Sequence, residues 1–164
     1  MADKHTHAPL AKPVHTGSRY DCLRLGNQLC FPLYACSKEI IRRYKPLLDQ
    51  LDLTYTQYIT MMVLWEHESL TVKELGEYLY LDSGTLTPVL KKLESKGYLT
   101  RQRSKEDERS LIVTLTDKGR NLQDEALSVP GHILECVDLP EEDARRLYSL
   151  LYEVLNSFRE EVDK

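Results

Sequence analysis

Residues 79–119 read LYLDSGTLTPVLKKLESKGYLTRQRSKEDERSLIVTLTDKG, and the rest of the chain is interpreted outward from them. Asp82 or Ser83 serves as the N-cap of a helix to about Ser95, since a side-chain oxygen there accepts from the unpaired amides of the first turn. Leu86, Val89, Leu90 and Leu93 recur at spacings of three and four and form its buried stripe. Gly97 ends it as a residue that tolerates the left-handed backbone after a helix. Two strand-like runs come next, Tyr98 to Arg103 and Leu111 to Leu115, the second (LIVTL) rich in β-branched residues. The connector SKEDERS, residues 104–110, holds no apolar residue, so it projects into solvent or against a polar partner.

Upstream, Thr71 caps Val72 to Tyr80 with Glu74 at the capping-box position, and Leu75 and Leu79 face a core. Leu81 and Asp82 are a join short enough to let two helices cross steeply and leave the second exposed. Helix, short turn, helix and β-hairpin, in that order, give a mainly α fold with a small β-hairpin wing, a winged helix-turn-helix.

The flanks are helical. Thr54, with Gln57, caps Tyr55 to His67, a segment apolar on most faces and therefore buried. Leu25 to Leu51 reads as a long helix with Leu29, Leu33, Ile40, Tyr44, Leu47 and Leu48 near one face. Pro32 either kinks it or is the first-turn proline of a helix beginning near Phe31. Pro46 is a second breaker that closes the regular part. Thr116 caps Asp117 to about Leu127, and Pro130 and Gly131 break or bend the chain beyond it. His132 to Val137 is ambiguous. Pro140, Glu141 and Glu142 open a final helix to about Val162, their charge complementing its dipole. Leu147, Leu150, Leu151, Val154, Leu155 and Phe158 are its apolar stripe.

With 164 residues, 41% hydrophobic and 29% charged, the chain suits one soluble globular domain, alone or with a helical extension. No window approaches the ~18 apolar residues of a membrane span, and Met1 to Gly17 is polar, without the apolar run of a secretory signal. It is read as a flexible arm, and the cytoplasm is the expected compartment. Net charge is −4, which by itself argues against nucleic acid. The distribution argues otherwise, because between Gly84 and Lys105 Lys91, Lys92, Lys96, Arg101, Arg103 and Lys105 face only Glu94. Acids dominate from Pro140 onward.

Ser83, Gly84, Thr85 and Thr87 put small or hydrogen-bonding groups at the start of the second helix, where base edges and phosphates are met. The helix N-terminus itself attracts phosphate, and Lys91 and Lys92 suit the backbone farther along. Lys105 and Arg109 at the hairpin tip suit a minor groove, with Asp107 placed to pair with Arg109 and fix its direction. Taken singly, the lysines are ordinary solubilising charges and the connector an ordinary solvated loop. The ordered constellation favours DNA.

Cys22, Cys30, Cys36 and Cys136 form no CxxC pair and no histidine has metal-ligand spacing, so neither a zinc site nor any cofactor is expected. The first reading of any one cysteine is a small buried hydrophobe. Cys36, six residues after Cys30, points away from it on an unbroken helix and is assigned to the core. There is no Gly-rich phosphate loop, HExxH or Ser-His-Asp spacing, and no enzyme is expected.

The stretch 79–119 resembles the MarR family of winged-helix repressors, whose DxRS-like wing appears here as EDERS, residues 106–110. Residues 27–72, NQLCFPLYACSKEIIRRYKPLLDQLDLTYTQYITMMVLWEHESLTV, resemble its organic-hydroperoxide-sensing (OhrR) branch, with LCF, LYA and LTYTQY followed in order by LYLDSGTLTP at 79–88. The likeness is close from Leu25 to about Gly119 and looser beyond. It implies an obligate homodimer with intertwined N- and C-terminal helices, each subunit presenting one winged helix to half of a palindromic double-stranded operator. It implies a reactive thiol at Cys30, with Tyr44 and Tyr55 of the other subunit bonded to the thiolate and Tyr34 nearby. DNA contacts are implied for Ser83, Thr85, Thr87, Asp107 and Arg109. The resulting division is an arm at 1–18, an N-terminal dimerisation helix at 19–53, the winged domain at 54–118 and C-terminal dimerisation helices at 119–164.

The chemistry is coherent with those residue types. A peroxide is attacked by thiolate, and a free thiol near pKa ~8.5 is mostly protonated at neutral pH. Burial among Leu29, Phe31 and Leu33 raises that pKa, whereas phenols donating to the sulfur lower it. Phe31, Tyr34, Tyr44 and Tyr55 suit an organic hydroperoxide with an apolar tail. Oxidation gives a sulfenic acid, which either a resolving cysteine, with Cys136 the candidate, or a small cellular thiol then consumes. Cys22, close to the arm, is open to opportunistic reaction. Other readings are a MarR-type regulator of a small phenolic ligand or of a broader redox or virulence programme, and, more remotely, a thiol peroxidase.

Overall fold

The Asp82 carboxylate accepts from the Thr85 amide at 2.9 Å, and the helix α4 (Ser83–Ser95) begins there. The computed structural model describes residues 16–105, 107 and 109–159. Short 3-10 turns at Asp21–Leu23 and Leu25–Asn27 lead into α1 (Cys30–Leu48), and α2 (Tyr55–His67), β1 (Ser69–Thr71) and α3 (Val72–Leu79) precede α4. After α4 come β2 (Leu99–Arg103), β3 (Leu111–Leu115), α5 (Asp117–Ala126), α6 (Val129–Glu135) and α7 (Glu141–Arg159). The chain divides into two compact units between Val129 and Pro130.

The caps explain where the helices start. Thr54 and Gln57 form a reciprocal box at α2, and Thr71 and Glu74 form one at α3. Thr116 caps α5 through the Gly119 amide at 3.1 Å. Gly97, at φ 78°, ends α4 as expected. Tyr80 ends α3 in the left-handed region at φ 54°, a conformation unusual for a bulky side chain.

The sheet has three strands in the order β1-β3-β2, both pairings antiparallel. Sequence periodicity supplies only β2 and β3. β1 escapes it because three residues carry no usable alternation, and Ser69–Thr71 becomes a strand by pairing with 112–114.

The core of the first unit gathers Leu48, Leu51 and Leu53 from the end of α1 and the corner after it, and Tyr58, Met61 and Leu64 from α2. Leu75, Leu86, Leu90, Leu93, Leu99, Val113, Leu115, Leu122, Ala126 and Val129 complete it. Met61, Leu64, Leu75, Leu86, Leu90, Leu93 and Val113 are wholly buried, and removing a leucine side chain from such a site costs ~2–5 kcal/mol.

Several boundaries differ from the sequence reading. The first long helix starts at Cys30, so Pro32 is its third residue and occupies the first turn, where its missing N–H has no helical acceptor to lose. Pro46 lies inside α1 and does not end it. Pro130 and Gly131 lie within the first turn of α6, which takes in most of the ambiguous 132–137 segment. The expected end of the last helix near Val162 lies outside the described residues.

Candidate nucleic-acid interface and thiol site

Helix α4 has two faces. Leu86, Leu90 and Leu93 are buried, while Ser83, Gly84, Thr85, Thr87, Pro88, Lys91 and Lys92 are exposed. The three leucines anchor the helix on the core and turn its small and basic residues outward. The phosphate-attracting N-terminus expected from sequence is already occupied, because Asp82 holds the Thr85 amide and lies against that of Gly84. These bonds, those to Thr85 foremost, keep the Asp82 carboxyl below its ordinary pKa. A fixed carboxylate at the cap offsets the partial positive charge of the helix end, so phosphate attraction falls to the lysines.

The wing projects beyond the sheet. Arg103 pairs with Leu111 at the last rung, and Ser104 donates its amide to the Ser110 carbonyl at 2.9 Å. Asp107 accepts from the backbone amide of Arg109 at 3.0 Å. The expected Asp107–Arg109 partnership therefore runs through the main chain and shapes the turn, and Lys105 and Arg109 are exposed at the tip.

Of the six cations counted from sequence, Arg101 and Lys96 are committed to carboxylates. Arg101 places Nε 3.0 Å from Glu94 Oε2, and its amide donates to Glu94 Oε1 at 3.0 Å. The guanidinium holds the Glu94 carboxyl below its usual pKa. Lys96 is paired with Asp52, 3.0 Å from its Oδ2. Sequence counting cannot see such pairings, because Glu94 and Arg101 lie on different elements.

Cys30 is the first residue of α1 and is exposed. Its expected burial is not met within one chain, since Leu29 is 72% and Tyr34 62% exposed. Cys36, assigned to the core, is exposed too. The reason is common to both: the only buried residue of α1 is Leu48, so among the described residues little covers the first half of the helix. Cys22 and Cys136 are likewise exposed, and none of the four cysteines is in a disulfide.

Tyr44 and Tyr55 are brought together. Their ring centroids lie 5.0 Å apart edge to face, and Tyr58, absent from the sequence candidates, adds a third ring 5.8 Å from Tyr44. Burial raises all three phenol pKa values, with neighbouring tyrosines adding to the rise at Tyr44 and Tyr58. These groups therefore remain protonated donors at neutral pH. Cys30 is separated from Tyr44 by 14 residues of one helix, a rise of about 21 Å. Beside Tyr55, a cleft of about 420 Å³ is lined by residues including Ile41, Leu48, Leu53 and Lys45.

Among the described residues no group of histidines, cysteines and carboxylates could hold a metal ion, and no helix is long and apolar enough to cross a membrane. The family model described as transcriptional regulator SarA/Rot matches residues 42–126. The organic hydroperoxide resistance transcriptional regulator of Bacillus subtilis (strain 168) is 51% identical over 143 residues, 87% of this chain and 97% of that one. AbfR of Staphylococcus epidermidis is similar in structure. Its reduced form bound to DNA has TM-score 0.68 and 38% identity, covering 83% of this chain and 94% of that one. Its overoxidized form bound to DNA has TM-score 0.69 and 38% identity, covering 86% and 99%. Its disulfide form has TM-score 0.56 and 33% identity, covering 92% and 100%.

Proposed function

The chain belongs to the MarR family of winged-helix transcriptional regulators, in its organic-hydroperoxide-sensing branch, and we propose that it is a homodimeric repressor released from operator DNA when an organic hydroperoxide oxidises Cys30. It is a cytoplasmic DNA-binding protein and not an enzyme. Its thiol is consumed once per signal and then restored.

One observation carries the thiol assignment: Cys30 stands exposed at the first position of a helix whose N-terminus has no side-chain cap. An exposed sulfur at that position is open to a peroxide. The protonated phenols of Tyr44 and Tyr55 are the stabilising donors. Tyr44 lies about 21 Å along α1 from the thiol of its own chain and Tyr55 packs against Tyr44, so a second copy must bring these phenols to the sulfur. The uncovered apolar residues of α1 (Phe31, Tyr34, Ile40, Ile41) and of α7 (Leu147, Leu150, Leu151, Val154, Phe158) supply the surface for such a copy.

The thiolate attacks the terminal oxygen of the hydroperoxide. The O–O bond breaks, the alkoxide leaves and takes up a proton as the alcohol, and the sulfur, oxidised by two electrons, becomes a sulfenic acid. A second thiol then condenses with it, forming a disulfide and releasing water. That thiol is Cys136 of the second subunit or a small cellular thiol. Ser83, Thr85, Thr87 and Lys91 of α4, with Asp107 and Arg109 of the wing, form the DNA-contacting set. Rearrangement at Cys30 moves the two reading helices off their half-site spacing, for which a coupling of ~1–3 kcal/mol suffices.

The test is a mobility shift on the chain's own upstream DNA with cumene hydroperoxide. Cys30→Ser is expected to bind as tightly as wild type and to resist release; normal release of Cys30→Ser sinks the assignment. Since AbfR has been solved on DNA in an overoxidized form, the protein should also be run on a non-reducing gel. A Cys136-dependent disulfide dimer that coincides with release supports the two-cysteine route, and undiminished release of Cys136→Ser supports the small thiol. The α1–α2 cleft beside Tyr55 favours a second reading, a phenolic effector, which would release Cys30→Ser as readily as wild type.

A further inference from the structure

We propose that the reading head of α4 meets DNA as a set of hydrogen-bond acceptors whose polarity Asp82 sets, so that Thr85 and Thr87 select base edges bearing an exocyclic amino group. The inference rests on the DNA-binding reading above and adds which base edge is read. The favoured groups are adenine N6 and cytosine N4; the disfavoured edge is the acceptor pair O6 and N7 of guanine.

A threonine hydroxyl has one hydrogen to donate and two lone pairs to accept with. The Thr85 hydroxyl gives its hydrogen to Asp82 Oδ2 at 2.9 Å, while Oδ1 of the same carboxylate takes the Thr85 amide at 2.9 Å. An ionised carboxylate only accepts, so the direction of both bonds is fixed. The Thr87 hydroxyl gives its hydrogen to the Ser83 carbonyl at 2.6 Å, and a carbonyl likewise only accepts. Both hydroxyls are thereby left with lone pairs outward. Thr85 and Thr87 flank the exposed strip of Gly84, Pro88 and Lys91, with nothing of the described chain covering them.

Guanine O6 and N7 would require Thr85 to turn its hydrogen away from a charged acceptor and strand that carboxylate against the DNA. Charge-assisted bonds of this kind are about twice as strong as neutral ones, so the inward arrangement persists on binding. An amino group asks nothing of the head, because the outward lone pairs accept from it directly. Asp82 acts through Thr85 and is a positioning residue. A Cβ at position 84 would lie 2.9 Å from Asp82 Oδ1, so Gly84 leaves the carboxylate room to sit against the helix start.

The experiment uses full-length reduced protein and the duplex it selects from a random pool. Four analogues are placed at each base of a half-site. Purine for adenine and 2-pyrimidinone for cytosine remove the amino group; 7-deazaadenine and 7-deazaguanine remove N7. Wild type is compared with Thr85→Val, which keeps the shape and loses the acceptor, and Asp82→Asn, which caps nearly as well but offers an amide donor. At base pairs where Thr85→Val weakens binding, loss of the amino group is expected to cost wild type about tenfold and loss of N7 under about twofold. Thr85→Val should be indifferent to both, and Asp82→Asn should cut the amino penalty to about threefold or less. The proposal is overturned if N7 removal costs wild type as much as amino removal, if Thr85→Val keeps the amino penalty, or if no base pair responds to Thr85→Val. A protein that selects no DNA overturns the DNA-binding reading and this inference together; the other results overturn the inference alone.

Discussion

Lys96, which comes directly after the last turn of α4, reaches Asp52 at the corner between α1 and α2: its Nζ lies 3.0 Å from Asp52 Oδ2 and also donates to the Asp52 carbonyl. Asp52 is itself held in the left-handed region at φ 52°. The same end of α4 is fastened from the other side, where Lys118 donates to the Lys96 carbonyl at 2.7 Å. The end of α4 is therefore tied to the corner that ends α1. Asp52 is largely exposed, so the pair adds about 1 kcal/mol of stability or less. Its consequence lies in coupling. Lys96→Met is expected to leave unfolding nearly unchanged while shrinking the ratio of reduced to oxidised DNA affinity about threefold or more. Equal ratios in titrations of wild type and variant would remove the pair from the route.

Arg109 and Arg101 should behave in opposite ways although both belong to the basic stretch. Arg109→Ala at the exposed tip is expected to weaken DNA binding and to lower the slope of log affinity against log salt by about one. Arg101→Met breaks the pairing with Glu94 and removes a half-buried cation from the α4–β2 junction. It is expected to lower the unfolding midpoint with little change in salt slope. The Glu94 carboxyl sits below its ordinary pKa in the folded chain, so the stability this pair contributes is present above the unfolded value and is lost as pH falls through the folded one. Arg101→Met should flatten that acid limb.

Gly119 is held where no side chain fits. A Cβ there would lie 2.0 Å from the Tyr98 carbonyl and 2.9 Å from Leu115 Cδ1. Trp65 Nε1 donates to the Gly119 carbonyl at 2.9 Å, so the helix cannot slide away without breaking that bond. Gly119→Ala should cost ~1–3 kcal/mol or more in urea unfolding. Gly131→Ala, with nothing within 4 Å of the added carbon and a helical position to occupy, should be neutral or stabilise by ~0.5–1 kcal/mol.

The clustered phenols predict an alkaline limit. Tyr44, Tyr55 and Tyr58 titrate above their ordinary value of 10.0, burial being the first cause in each. A group whose folded pKa is raised keeps its full stabilising contribution below the unfolded value and loses it as pH climbs through the folded one. Thermal unfolding should therefore be flat with respect to these groups up to about pH 10 and fall above it. Tyrosinate absorbance of the folded protein should lag that of free tyrosine. Tyr44→Phe should reduce the lag; an unchanged curve would separate the titration from this cluster.

The winged helix-turn-helix is readable from residues alone because its signals are local. Caps such as Thr54, Thr71 and Thr116 lie three residues from the amides they serve, and Leu86, Leu90 and Leu93 repeat within one helix, so no distant partner is needed to recognise them. The site candidates are visible by type for the same reason, as small polar residues at the start of α4 and cations at a hairpin tip. What folding adds depends on contacts between segments far apart in the chain. β1 exists because residues 69–71 find residues 112–114, Lys96 is engaged because Asp52 lies 44 residues away and yet adjacent, and Tyr58 joins Tyr44 across a corner. Cys36 departs from its expected place in the core for a related reason: helical periodicity marks which face is apolar, but whether that face is covered within one chain is settled only when the chain closes on itself.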